Sequence, residues 1–118
     1  MPKISITNGH RTIRLKYAGN IIARAFGLGF RRYKPDIGMY FKLPFKSKPI
    51  LWNFGMFFPI SIGWIRDGKI VHIASLPKMT DGLKIVVAQE KCDAFVELDD
   101  KSFMKADWDC AIIKNDEL

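Results

Sequence analysis

Between Lys48 and Arg66 the chain carries 17 consecutive residues without a charge, 49–65, and this run restricts the fold more than any other feature. A helix that crosses a bilayer needs about 20 apolar residues in succession. The run falls short of that and is interrupted by Pro49, Asn53, Gly55, Pro59 and Gly63. Proline lacks an amide donor and glycine loses the most backbone freedom, so helix interiors tolerate neither well. The stretch therefore reads as strands buried in a protein core, and no membrane partner is expected. With 118 residues, 48% of them apolar, the chain is long enough for one such core. Nine Phe, three Trp and three Tyr exclude a disordered chain.

Short strands with turn signals recur on both sides of this run. Residues 3–7 and 12–17 alternate polar and apolar side chains around Asn8-Gly9, a pair suited to a tight hairpin turn. Strands are expected over 37–43, 50–54, 57–66, 69–76, 83–88, 94–98 and 108–113. Asp67-Gly68 joins two of them as a second hairpin. Residues 44–49 are expected to form a loop, and Pro59 marks an edge or bulge. One short helix is predicted near residues 20–26. Asn20 is placed to cap it, Ile21, Ile22, Ala25 and Phe26 share one face, and Gly27 stops it. The fold class that follows is mainly β: a single-domain antiparallel β-sandwich or partly closed barrel of eight or nine short strands with one short helix. No internal repeat, low-complexity segment or linker divides residues 1–118.

Motifs for chemistry are sparse. His10 and His72 have no metal-type partner at short spacing, and no Gly-x-Ser-x-Gly or dinucleotide fingerprint occurs. A proton-accepting pair built from Asp67 and His72, or a gathering of Asp99, Asp100, Asp107 and Asp109, is the remaining hydrolase-like arrangement; solvated turn acids are the simpler account. Cys92 and Cys110 lack a second pair and read as two ordinary thiols. Met39 and Met56 read as adaptable core filler. No cofactor, metal or catalytic residue is assigned. The start, Met1-Pro2-Lys3-Ile4-Ser5, has no secretory pattern, so a cytoplasmic location is expected.

Charge is placed unevenly. Residues 1–50 sum to +10 and residues 51–118 to −3, giving the net +7. The segment 40–48 interleaves aromatic rings with lysines, which is what a groove for single-stranded nucleic acid offers and also what a half-buried strand produces. The leading expectation is a non-enzymatic binding or accessory module for a small anionic ligand or a protein surface, using Arg24, Arg31, Arg32, Lys34 and Tyr40. Guanidinium groups there would pair with carboxylate or phosphate oxygens. Weak, salt-sensitive binding of nucleic acid through the same basic half is the alternative.

The order of several short segments carries a resemblance. Ala23-Arg24-Ala25-Phe26-Gly27-Leu28-Gly29-Phe30-Arg31, Gly38-Met39-Tyr40-Phe41, the hairpin from Met56 through Asp67-Gly68 to Val71, Val96-Glu97-Leu98 and Trp108-Asp109 follow one another. Together they resemble the conserved prokaryotic family known as domain of unknown function 192, or uncharacterised protein family 0127, over about residues 12–114. Three positions depart from the family pattern: Gly29 stands for a Met, Ser61 for an Asp, and Trp108 for a Gly. The resemblance implies a compact, mostly β domain and no established activity.

Overall fold

The computed structural model describes residues 3–18, 28–29, 32–103 and 105–115. Nine strands are present among them: β1 (Ile4–Thr7), β2 (Thr12–Tyr17), β3 (Gly38–Ser47), β4 (Ile50–Trp52), β5 (Ile60–Arg66), β6 (Lys69–Leu76), β7 (Ile85–Val87), β8 (Cys92–Asp99) and β9 (Ile112–Asn115). Seven close into a barrel in the order β1-β2-β3-β8-β5-β6-β9, and β4 pairs with β7 as a separate two-stranded sheet. Closure decides between the two architectures the sequence allowed, and it removes the open sheet edges that a sandwich would keep. The pairing is antiparallel except between β2 and β3, which run parallel with Lys16 beside Met39 and Tyr17 beside Tyr40. Parallel neighbours need a crossover of a dozen residues or more, and residues 18–37 supply it. The helix predicted at 20–26 falls in that crossover, outside the described residues.

Alternation along the strands creates two apolar layers. Ile4, Ile6, Ile13, Leu15, Ile65, Ala94, Val96 and Leu98 fill the barrel, joined by Phe103, Trp108 and Ala111. The opposite faces of β3, β5 and β8 present Met39, Phe41, Ile60, Ile62, Trp64 and Phe95 to an outer layer. There Leu51 of β4 and Val86 of β7 pack down from the small sheet, with Met56, Phe58, Ala18 and Leu28 around them. Phe41 stacks on Phe95 at 4.6 Å between centroids, and Trp64 meets Phe95 edge-on at 5.6 Å. β5 and β8 are thus covered on both faces, so the uncharged run is architectural.

Both hairpins form. Asp67 (φ 54) and Gly68 (φ 80) make the two-residue turn between β5 and β6, as their positive φ angles require. The first turn spans residues 8–11 between the two expected strands, with Thr7 paired to Thr12 and the Asn8 side chain accepting the amides of His10 and Arg11. Pro44, expected in a loop, lies within β3 where the register slips between Lys42 and Ser47, so no ladder partner needs its missing amide. Pro59 sits just before β5 rather than inside it, which a central strand bonded on both sides demands. The largest correction concerns 108–113. Trp108 belongs to a short helix, Lys105–Asp109, and only Ile112–Asn115 is strand.

Candidate functional site

Asp36 and Lys34, at the end of the crossover, meet the outer side of β2 and the start of β3. A cavity of about 490 Å³ opens there, lined among the described residues by Lys3, Arg14, Lys16 and Lys34 around a floor of Leu15, Leu28, Ile37 and Met39. The lining follows from strand geometry. Arg14 and Lys16 are exposed positions of β2, on either side of the buried Leu15, and the parallel register brings Lys16 level with Met39. Four cations thus meet one acid, Asp36, which takes the Arg11 guanidinium as its ion-pair partner. An anion entering this cavity gains Coulomb attraction while its apolar part covers the floor.

Behind the floor lies a carboxyl group that the sequence reading did not nominate. The β-ladder sets Lys16, Met39, Glu97, Ile62 and Ala74 in one transverse row across four adjoining strand pairs. Glu97 is therefore an acid two strands in from the cavity, between Met39 and Ile62, and it is buried. Burial pushes its carboxyl up to about 7, while the hydrogen bond donated by the Leu28 amide opposes that rise. The Leu28 N–H to Glu97 Oε1 distance is 3.0 Å. Leu28 is also a cavity wall, so Glu97 pins one side of the cavity to the sheet. The sequence carried one signal for it: an acid inside the apolar string Phe95, Val96, Leu98.

The residues expected to form the site divide. Lys34 lines the cavity, and Arg32 is exposed two residues before it without lining it. Tyr40 is half-buried, with its ring 6.0 Å from that of Tyr17, which does line the cavity. Desolvation, then Asp93, then Tyr17 raise the Tyr40 hydroxyl above its ordinary value. Arg24 and Arg31 lie outside the described residues. Lys3, Arg14 and Lys16 were missed, because on the sequence alone their alternation marks only a solvated strand face.

Of the other chemical candidates, His72 and Asp109 share a cavity, while Asp67, Asp99 and Asp107 stand apart from it. Asp67 is on an exposed turn, where it accepts from Lys46 at 3.4 Å. His72 lies on β6 opposite Trp64 and lines a second cavity of about 700 Å³ with Asp109 and Cys110. Asp99 is buried, taking the Ser102 hydroxyl and the Lys101 amide, and Asp107 accepts from Asn8 Nδ2 at 2.8 Å. No cluster of three or more His, Cys, Asp or Glu is placed to hold a metal among the described residues. Cys92 is a buried free thiol and Cys110 an exposed one. Phe41 is committed to the core, so the 40–48 segment offers a base only the exposed ring of Phe45 and part of Tyr40. No helix among the described residues is long and apolar enough to cross a membrane.

A closed seven-stranded barrel, one parallel pair in it, a small covering sheet and a basic cavity at the crossover define the class: a small β-barrel domain. The chain belongs to the DUF192 family, described as uncharacterized ACR, which it matches over residues 4–109. Among solved structures it is similar to a Sinorhizobium meliloti protein described as a "putative transcription regulator", at 18% identity and a TM-score of 0.78, over 97% of this chain and 92% of that one. It is also similar to a protein of unknown function from Novosphingobium aromaticivorans, at 19% identity and a TM-score of 0.74, over 97% of this chain and 84% of that one. Identities this low show a shared fold. No curated protein matches the chain.

Proposed function

We propose that this protein is a non-enzymatic binding module that takes a small organic anion, a carboxylate or phosphate ester with an apolar part, in the cavity between β2, β3 and Leu28. The observation that supports it is the lining: Lys3, Arg14, Lys16 and Lys34 surround an apolar floor with a single acid at the rim. Arg14 supplies paired donors for two oxygens of one anionic group, and the lysines act as point charges beside it. The pinned Leu28 wall keeps the cavity open without the ligand, which lowers the ordering cost of binding.

The test is a thermal-shift screen of small carboxylates and phosphate esters at low salt, followed by titration calorimetry of any that stabilise the protein. The expected result is saturable binding of one anion per chain. It should weaken about tenfold or more in the Arg14→Ala, Lys16→Ala double variant, since a charge-assisted hydrogen bond is worth about 1.5–3 kcal/mol. Both side chains are on exposed strand positions, so the variant keeps its unfolding midpoint. Absence of binding across the screen, or equal binding by the double variant, overturns the reading.

A further inference from the structure

Eight of the ten large apolar side chains that are exposed among the described residues lie in two segments, 45–57 and 83–87, so the exposed grease is concentrated around the small sheet. The register sets Ile50 beside Val87 and Trp52 beside Ile85, which puts these four on one face of the β4–β7 pair. Leu51 and Val86 point the other way, into the outer core layer. Trp52 continues the face by stacking on Phe54 at 5.1 Å.

The platform is stiff. Asn53 is fully buried at the end of β4, and its side-chain amide donates to the carbonyls of Pro77 at 2.9 Å and Gly82 at 2.8 Å. Its Oδ1 accepts the Lys84 amide at 2.8 Å. The Met79 amide ties the same loop to the Met56 carbonyl at 2.8 Å. An apolar face held this firmly in water is a feature of docking surfaces rather than of loose loops.

Charge selects the occupant. Residues 44–58 and 77–88 carry Lys46, Lys48, Lys78 and Lys84 against one acid, Asp81, and contain no Arg. Because the strands are antiparallel, Lys48, just before β4, and Lys84, just before β7, bracket the apolar face at opposite ends. A second copy meeting this face through a two-fold axis would set lysines against lysines. Protein partners are also disfavoured by the cation type, since lysine is depleted and arginine enriched at protein interfaces. An anionic bilayer answers both features. Tryptophan settles at the headgroup level, aliphatic side chains enter below it, and lysines reach up to lipid phosphates.

We propose that the outer face of the β4–β7 sheet docks this protein on anionic membrane surfaces, with Trp52, Ile50, Ile85 and Val87 inserted and Lys48 and Lys84 held at the headgroups. This is peripheral contact through a face, independent of the anion cavity, and it departs from the expectation of no membrane partner, which rested only on the lack of a spanning segment.

Tryptophan fluorescence tests it on the intact chain. Trp64 and Trp108 are 1% and 2% exposed and Trp52 is 54% exposed, so only Trp52 can report a change of surroundings at the surface. Vesicles of phosphatidylcholine with about one-third phosphatidylserine should shift the emission to shorter wavelength, and vesicles of phosphatidylcholine alone should not. The shift should disappear in Trp52→Phe, while that variant still co-sediments with the anionic vesicles. Lys48→Ala with Lys84→Ala should lower the partition constant about thirtyfold, with the unfolding midpoint unchanged. No shift with anionic vesicles, or partitioning indifferent to the lysine pair, overturns the proposal. A Trp52 shift that grows with protein concentration in lipid-free buffer also overturns it, because it assigns the face to self-association.

Discussion

Glu97 is held among apolar side chains on the middle strand of a sheet face, so its charge has a cost that pH can reveal. Its carboxyl is raised from the ordinary value near 4.5 to about 7. Between those values the unfolded chain has lost the proton and the folded chain has kept it. Stability therefore falls as pH rises through that window and levels off above it, by about 3 kcal/mol for this group alone. Glu97→Gln keeps an oxygen for the Leu28 amide and has no proton to lose. Urea unfolding at pH 5 and pH 8 should show the loss in the native protein and a much flatter profile in the variant. Equal slopes in both proteins would show that Glu97 ionises normally. Asn53 is the opposite kind of buried polar residue, with its amide fully used by Pro77, Gly82 and Lys84. Truncation in Asn53→Ala strands three backbone groups, at about 1–3 kcal/mol for each that water cannot reach. A loss above about 2 kcal/mol is expected by denaturant unfolding, with faster amide exchange at Lys84.

At the scale of elements, the barrel has one weak seam. β6 meets β9 only at Lys69 and Ile112, whereas β5 and β6 pair along their whole length. The short helix closes the gap by sending Trp108 inward, where it meets Phe103 edge-on at 5.5 Å. Gly63 is shaped to that ring, since a Cβ there would stand 2.5 Å from Trp108 Cζ3. Gly63→Ala should cost about 1–3 kcal/mol by forcing the indole to move, and Trp108→Ala about 3–5 kcal/mol by emptying the seam. If denaturant unfolding finds Gly63→Ala neutral, the indole does not fill the barrel as described. The same elements show which parts of the fold were readable in advance. The Asp67-Gly68 hairpin and the strands around it were, because turn chemistry and alternation act within a few residues. The helix at Lys105–Asp109 was not, because five residues give too short a period to set against the strand-like Ile112 and Ile113. Lys34 was legible at the cavity from local charge. Arg14 and Lys16 were not, because only the parallel pairing of β2 with β3 turns a solvated strand face into a wall.

At the scale of the molecule, chain order becomes position. The three strands drawn from the basic half, β1, β2 and β3, are consecutive in the barrel, while β8, β5, β6 and β9 carry the acidic half. The cations on or beside those strands, Lys3, Arg14, Lys16, Lys42 and Lys46, are thereby brought onto neighbouring strands, which adds an uneven field to the net charge. A field of this kind attracts any polyanion and discriminates little. If single-stranded DNA contacts about four lysines or arginines, its affinity should fall roughly fiftyfold between about 50 and 200 mM salt, because each neutralised phosphate contributes a slope near 0.7. The cavity should behave differently. A small anion held by Arg14 at fixed geometry loses part of its Coulomb term to screening and keeps its hydrogen bonds and apolar contact. Replacing Arg32, an exposed cation that does not line the cavity, with Ala should therefore lower the oligonucleotide's salt slope and leave small-anion affinity unchanged. The Arg14→Ala, Lys16→Ala pair should impair both. Calorimetric titration of each ligand at two salt concentrations separates field from site, and parallel losses in the Arg32 variant would mean that the cavity contributes no more than its share of the surface charge.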